Sequence, residues 1–167
     1  GATESKTATM PKALAGGVWL EVDVSEARSL MAADKNGLSD PYAVVELVPD
    51  TGGNALKGES YKTKPQKKTL DPKFDESFTL GAATEDAELA AASLRARLYD
   101  YDNMISSDAL GEVVLPLEQC VAEDRAGFDG WRPLAACDKA TAAAASLGEL
   151  RLTVRVGGAP ALRAALE

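Results

Sequence analysis

Five aspartates stand in two short clusters: Asp34 and Asp40 within DKNGLSDPY, and Asp100, Asp102 and Asp108 within YDYDNMISSDALG. Each cluster borders a run of alternating apolar residues, so each reads as a loop at a strand end. Residues two apart in an extended chain face the same side, so Asp100 and Asp102 project together and Asp108 returns on the next strand. Carboxylates gathered this way repel: two unit charges about 4 Å apart cost about 4 kcal/mol at an effective dielectric of about 20. A cation relieves the repulsion, and the donors select which one. Calcium takes about six to eight oxygen ligands in flexible geometry, whereas magnesium demands a tighter octahedron and transition metals prefer nitrogen or sulfur. Aspartate is also common in turns for reasons unrelated to metals, which is the simpler reading of any one of the five; the joint spacing points to a metal. A single-loop EF-hand does not fit. Counted from Asp34, its Gly and Glu positions fall on Ser39 and Val45, and counted from Asp100 on Ile105 and Gly111. The expected calcium site is therefore assembled from separate loops.

Two features lie beside these clusters. Met104 and Ile105 form the tip of the loop between Asp102 and Asp108, a poor place for a core. Burying a side chain of this size in a membrane headgroup region is worth about 1.5–3 kcal/mol, so both are candidates for membrane insertion; packing against a neighbouring loop is the alternative. Lys57, Lys62, Lys64, Lys67 and Lys68 make a local positive patch in a chain of formal charge −8. Such a patch can bind an anionic surface or a protein partner, or serve as an edge strand whose lysines block unwanted pairing.

The composition narrows the function class. A charge of −8 and a pI of about 4.7 set the chain against nucleic acid and bare anionic membrane. A function at either surface must bring in positive charge. Nucleic acid is not expected, because the lysines are not interleaved with stacking aromatics. Trp19 and Trp131 read as packing residues, and Arg151 and Arg155 as a solvated face. The chain has no histidine, which removes Ser-His-Asp and Cys-His nucleophile systems and His-ligated zinc. Cys120 and Cys137 cannot build a structural zinc site alone and are expected as free thiols. No enzymatic activity is expected. No run approaches the roughly 18 apolar residues of a transmembrane helix. The start lacks a signal-peptide pattern, and there is no Asn-x-Ser/Thr sequon. The expected location is cytoplasmic, peripheral at membranes.

The elements that must position these residues alternate with period two. Val18, Leu20, Val22 and Val24 interleave with Trp19, Glu21 and Asp23; Leu94, Ala96 and Leu98 with Arg95 and Arg97; Leu150, Leu152, Val154 and Val156 with Arg151, Thr153 and Arg155. Further strands are expected at 41–48, 58–64, 74–80, 110–117 and around Trp131 to Leu134. Turns rich in Gly, Pro and Asp separate them. About eight short strands predict an all-β antiparallel sandwich or barrel. Short helices are expected at 84–92 and 117–122, while the alanine-rich 138–146 suits a helix or a loop equally. A flexible tail over 1–16, one domain over 17–157 and a tail over 158–167 complete the expected organisation.

At this level of detail the sequence resembles the C2 domain family. The run 18–42 resembles the first strand and first calcium loop. The segment 62–80 resembles the middle section, with Thr69, Pro72, Phe74, Glu76 and Phe78 in a T-x-x-P-x-aromatic-x-E-x-F pattern; 94–117 resembles the strand, third calcium loop and following strand. The resemblance implies an eight-stranded Greek-key β-sandwich that binds Ca²⁺ and anionic phospholipid of the phosphatidylserine or phosphoinositide class. It implies calcium ligands at Asp34, Asp40, Asp100, Asp102 and Asp108, with backbone carbonyls at Ala33, Tyr101 and Ser106. It also makes Lys62 and Lys64, with Tyr42 and Tyr99 nearby, candidates for phosphoinositide headgroups; a basic residue often found just after Pro-Tyr is Val44 here. Because 149–156 follows the Trp131 element and the chain before Val18 is not strand-like, the type II topology is expected, in which the last strand takes the place of the other type's first. A calcium-independent scaffold that binds protein or phosphoinositide through the Lys62–Lys68 face is the alternative.

Overall fold

The computed structural model describes residues 19–33, 37–48, 60–81, 92–101, 108–117, 119 and 127–157. Among them are eight strands: β1 (Trp19–Arg28), β2 (Pro41–Val48), β3 (Tyr61–Lys62), β4 (Lys73–Gly81), β5 (Ser93–Asp100), β6 (Asp108–Pro116), β7 (Phe128–Pro133) and β8 (Glu149–Gly157). They form two four-stranded antiparallel sheets in the orders β4-β1-β8-β7 and β3-β2-β5-β6. The expected eight-stranded sandwich is what the chain builds.

Period-two alternation explains the core. Leu20, Val22 and Val24 of β1, with Leu150, Leu152 and Val154 of β8, turn inward. They meet Ala43, Val45 and Leu47 of β2 and Leu94, Ala96 and Leu98 of β5 in one buried cluster. The wet faces carry the polar partners. Arg151 pairs with Glu26, and Arg155 with Glu21 and Asp23. On the outer face of the other sheet, Glu46 pairs with Arg95 and Glu112 with Arg97 across the ladder. Trp131 takes Arg28 over its ring at 3.8 Å.

The expected type II strand order holds. β1, the strand that leads into the first acidic loop, lies inside its sheet between β4 and β8, so the last strand of the chain takes the place beside it that the first strand fills in the other type. One expectation changes and one open reading closes. β3 pairs with β2 only at Tyr61 and Lys62, because Thr63 turns inward and accepts the Ala43 amide at 2.9 Å. Residues 138–146 contain a short helix, α1 (Lys139–Ala143). Asp138 caps it, accepting the Thr141 amide at 2.9 Å, while the Thr141 hydroxyl accepts the Asp138 amide at 3.0 Å and the Cys137 amide at 2.8 Å. A buried threonine, rather than a large apolar residue, anchors this helix. The expected helix at 84–92 falls outside the described residues but for Ala92, and of 117–122 only Leu117 and Gln119 are described.

One irregularity shapes the functional end. Between Leu98 and Tyr99 the β5–β6 register slips past Leu110, a β-bulge that lets both Leu110 and Gly111 be buried. Gly111 has φ +127°, and a Cβ there would lie 3.1 Å from the Leu134 Cβ and 3.3 Å from the Ala135 carbonyl oxygen. The close approach lets Ala135 and Glu112 exchange backbone hydrogen bonds at 2.7 and 3.0 Å, which covers part of the open edge of β6.

Candidate functional site

The start of β2, the end of β5 and the start of β6 meet at one end of the second sheet. In register, Pro41 and Asp108 both face Asp100. Asp100 has the inward parity of Leu94, Ala96 and Leu98, so it closes the core at this rim and is 4% exposed. It accepts the Asp40 amide at 2.7 Å, and the Tyr101 amide donates to the Asp40 carbonyl at 2.8 Å. Asp108 is exposed at the same rim. Three of the five sequence-predicted aspartates are thus brought to one end. Asp34 and Asp102 lie outside the described residues, as do Ser106, Met104 and Ile105. Among the described residues, no three acidic, cysteine or histidine side chains close around one point.

Ser39 organises the approach to this rim, and sequence reasoning missed it. Fully buried, its hydroxyl donates to the Met31 carbonyl and accepts the Ala33 amide, both at 3.0 Å. That clasp holds Ala33, a candidate carbonyl donor, beside Asp40. A serine within an acidic loop was the available signal, but serines are so common in turns that the signal is weak.

The segment 63–69 is stitched to the same strand start. Thr69, Lys68 and Gln66 donate backbone N–H groups to the Ser39 carbonyl at 2.9 Å, Asp40 Oδ1 at 2.7 Å and the Pro41 carbonyl at 2.9 Å. Lys68 holds φ +52° to do so. A non-glycine residue keeps that conformation when its surroundings over-determine it.

The outer face beside the rim carries three tyrosines. Tyr42 and Tyr99 are cross-strand partners stacked at 5.6 Å between ring centroids, and Tyr101 meets Tyr42 edge-on at 6.1 Å. Tyr42 and Tyr101, with Lys62, Thr63 and Pro65, bound a small open cavity of about 160 Å³. Lys62 and Tyr42 are therefore brought together, with Tyr99 supporting Tyr42. Lys64 is exposed, as its alternation with Lys62 predicts, but stands beyond the strand and does not line this cavity; its amide donates to Glu76 Oε2 at 2.8 Å. Burial works against the Arg97 charge beneath Tyr99, yet bonds and attraction from Glu112 and Tyr99 outweigh it and raise its pKa. The Tyr101 side chain was not singled out from sequence. Its parity with Tyr99 was the usable signal.

Comparison with known proteins supplies the kinship. The C2 domain family model matches residues 19–134. Synaptotagmin-1 of Aplysia californica is 34% identical over 140 residues, covering 81% of this chain and 29% of that protein. Protein kinase C, eye isozyme, of Drosophila melanogaster is 36% identical over 112 residues, covering 67% of this chain and 15% of that protein. The chain thus spans less than a third of the length of either relative. The C2A domain of plant Extended Synaptotagmin 1 superposes with a TM-score of 0.62 at 22% identity, covering 83% of this chain and 92% of that one. The calcium-bound C2A and C2B domains of Extended-Synaptotagmin 2 give 0.59 at 24% identity, over 83% of this chain and 45% of that one. At these identities the two structures speak for the fold.

Proposed function

The chain belongs to the C2 domain family, and from that premise we propose that residues 17–157 form a non-enzymatic module that binds anionic phospholipid membranes in a calcium-dependent way. The observation that carries this reading is the meeting of Asp40, Asp100 and Asp108 at one rim, the first two joined by a hydrogen bond of 2.7 Å. The donors there are oxygens, which suits calcium. In this reading Asp34 and Asp102 complete the carboxylate set, and the carbonyls of Ala33, Tyr101 and Ser106 contribute. Bound calcium supplies the positive charge that an acidic chain lacks, and so turns a repulsive rim into an attractive one.

The chain's own residues do the rest. Asp100 and the Ser39 clasp hold the rim in shape before any ion arrives. Met104 and Ile105 insert into the headgroup region. Lys62 and Tyr42, backed by Tyr99 and flanked by Lys64, offer a second contact that suits a phosphoinositide headgroup. Among the described residues no helix is long and apolar enough to cross a membrane, and the proposed attachment is peripheral, from the cytoplasmic side.

Calorimetry with Ca²⁺ on the wild type and on Asp100→Asn/Asp102→Asn tests the ligand set, and co-sedimentation with phosphatidylserine/phosphatidylcholine vesicles tests the surface. Calcium heat in the wild type, its loss in the double variant and vesicle binding that a chelator reverses are expected. Undiminished vesicle binding in chelator would sink the calcium switch and favour a calcium-independent scaffold using the Lys62–Lys68 face for phosphoinositide or protein.

A further inference from the structure

Residues 30–33 carry the chain from β1 toward the first acidic loop, and they are pinned at both ends. Leu30 is buried in the core, and its amide donates to the Leu70 carbonyl at 3.0 Å. Further on, the Ala33 amide donates to the Ser39 hydroxyl, which itself donates to the Met31 carbonyl, both at 3.0 Å. Ser39 is fixed in its turn. Its carbonyl accepts the Thr69 amide at 2.9 Å, and the amide of the next residue, Asp40, donates to Asp100 Oδ1 at 2.7 Å. We propose that Ser39 sets the rim's preference for calcium over magnesium, by presenting the Ala33 carbonyl as a ready-placed donor. This role rests on the calcium reading above.

Ser39 acts at one remove. Fully buried, it commits its proton to Met31 and its oxygen to Ala33, so it is a positioning residue and not a ligand. A hydroxyl bridging residues 31 and 33 restricts the peptide that leads into Ala33, and with it the direction of the carbonyl that follows. Ordering that backbone is then part of folding rather than part of ion binding.

The two ions use such a donor differently. Calcium takes about six to eight oxygens, carbonyls among them, at about 2.3–2.6 Å. Magnesium keeps several waters, demands a near-ideal octahedron at about 2.0–2.1 Å and is usually met by one or two carboxylates. A carbonyl held in a buried clasp does not follow the smaller ion inward. It therefore adds to calcium affinity and little to magnesium affinity. The carboxylates serve both ions; the clasp serves one.

The test separates the hydroxyl from the backbone around it. Ser39→Ala removes the hydroxyl, and Ser39→Cys keeps a side chain of similar shape that bonds only weakly. Both leave the carbonyl that Thr69 uses. Amide NMR titrations of the whole chain with calcium, and separately with magnesium, give the two affinities. Terbium luminescence lifetimes in light and heavy water count the waters on bound ions, the lanthanide standing in for calcium. Each variant is expected to lose about tenfold in calcium affinity, equivalent to about 1.4 kcal/mol, with magnesium affinity within about twofold of wild type. Summed over the ions held at saturation, terbium is expected to gain about one water, because the carbonyl no longer fills its place. Val22→Ala, which truncates a buried core side chain of β1, destabilises without touching the clasp and is the control. A calcium loss that Val22→Ala reproduces at a similar urea midpoint, an equal fall in magnesium affinity, or an unchanged water count each overturns the role. Wild-type calcium affinity in Ser39→Cys overturns it as well, and that variant decides alone where Ser39→Ala does not fold. A wild type that binds neither calcium nor terbium defeats the calcium reading itself and this role with it, whereas the other adverse outcomes leave that reading standing.

Discussion

The Asp40 amide donates to the Asp100 carboxylate at 2.7 Å across 60 positions of chain. Asp100 therefore holds the rim together whether or not it meets an ion, and the two roles separate by substitution. Asp100→Ala leaves a part-buried N–H without its partner and is expected to cost about 1–3 kcal/mol. Asp100→Asn keeps an acceptor and is expected to cost less than about 1 kcal/mol, while abolishing calcium heat as completely as alanine does. Urea unfolding beside calorimetry reads both. Equal stability of the two variants would remove the structural role.

Gly111 sits at the bulge with a positive φ and a neighbour's Cβ 3.1 Å from where its own would be. Gly111→Ala is expected to destabilise by about 1–3 kcal/mol, since it adds backbone strain and pushes Ala135 off the β6 edge. Chemical denaturation measures it, and a change within about 0.5 kcal/mol would contradict the argument.

Lys62 lines the tyrosine cavity and Lys64 does not. A lysine near an anionic surface is worth about 1 kcal/mol, which is about fivefold in affinity. Lys62→Ala is expected to weaken binding to phosphoinositide vesicles by about that factor, and Lys64→Ala by clearly less. Equal losses would mean a diffuse positive field rather than a shaped contact.

Asp138 carries a pH dependence of its own. Hydrogen bonds from the Thr141 amide, then the Thr141 hydroxyl, hold its carboxyl below the ordinary carboxylate range. The folded pKa is depressed, so this contribution is present above the unfolded carboxylate's pKa and is lost as pH falls through the folded one. Asp138→Asn keeps an acceptor but does not titrate. The wild type's advantage over this variant in urea midpoint is expected to shrink on acidification through that window; a gap constant with pH would refute the cap's charge.

Much of the scaffold was legible because the signal is local. In 41–48 every second side chain is apolar, and the strand spans those residues. The alanine-rich 138–146 was ambiguous because its anchor is a capping pair, Asp138 and Thr141, that propensity does not weigh. Lys64 was legible as exposed but not as lying off the strand, since Thr63's inward turn depends on the Ala43 amide of another strand. Strand order was legible only through the family resemblance, which put the last strand beside β1. Which neighbour a strand takes depends on the packing of both sheets, not on alternation within one.

By itself the sequence determined residue type and parity: oxygen donors without histidine, inward and outward faces, and two acidic loops at strand ends. Those follow from chemistry and from the two-residue repeat of an extended chain. The tertiary structure alone decided partnership: Asp40 bonded to Asp100, Ser39 clasping 31–33, and Lys67 and Lys68 sharing a cavity with Asp40. Such contacts arise where separate loops converge at a sheet end, and their geometry is set by register, which no local pattern encodes.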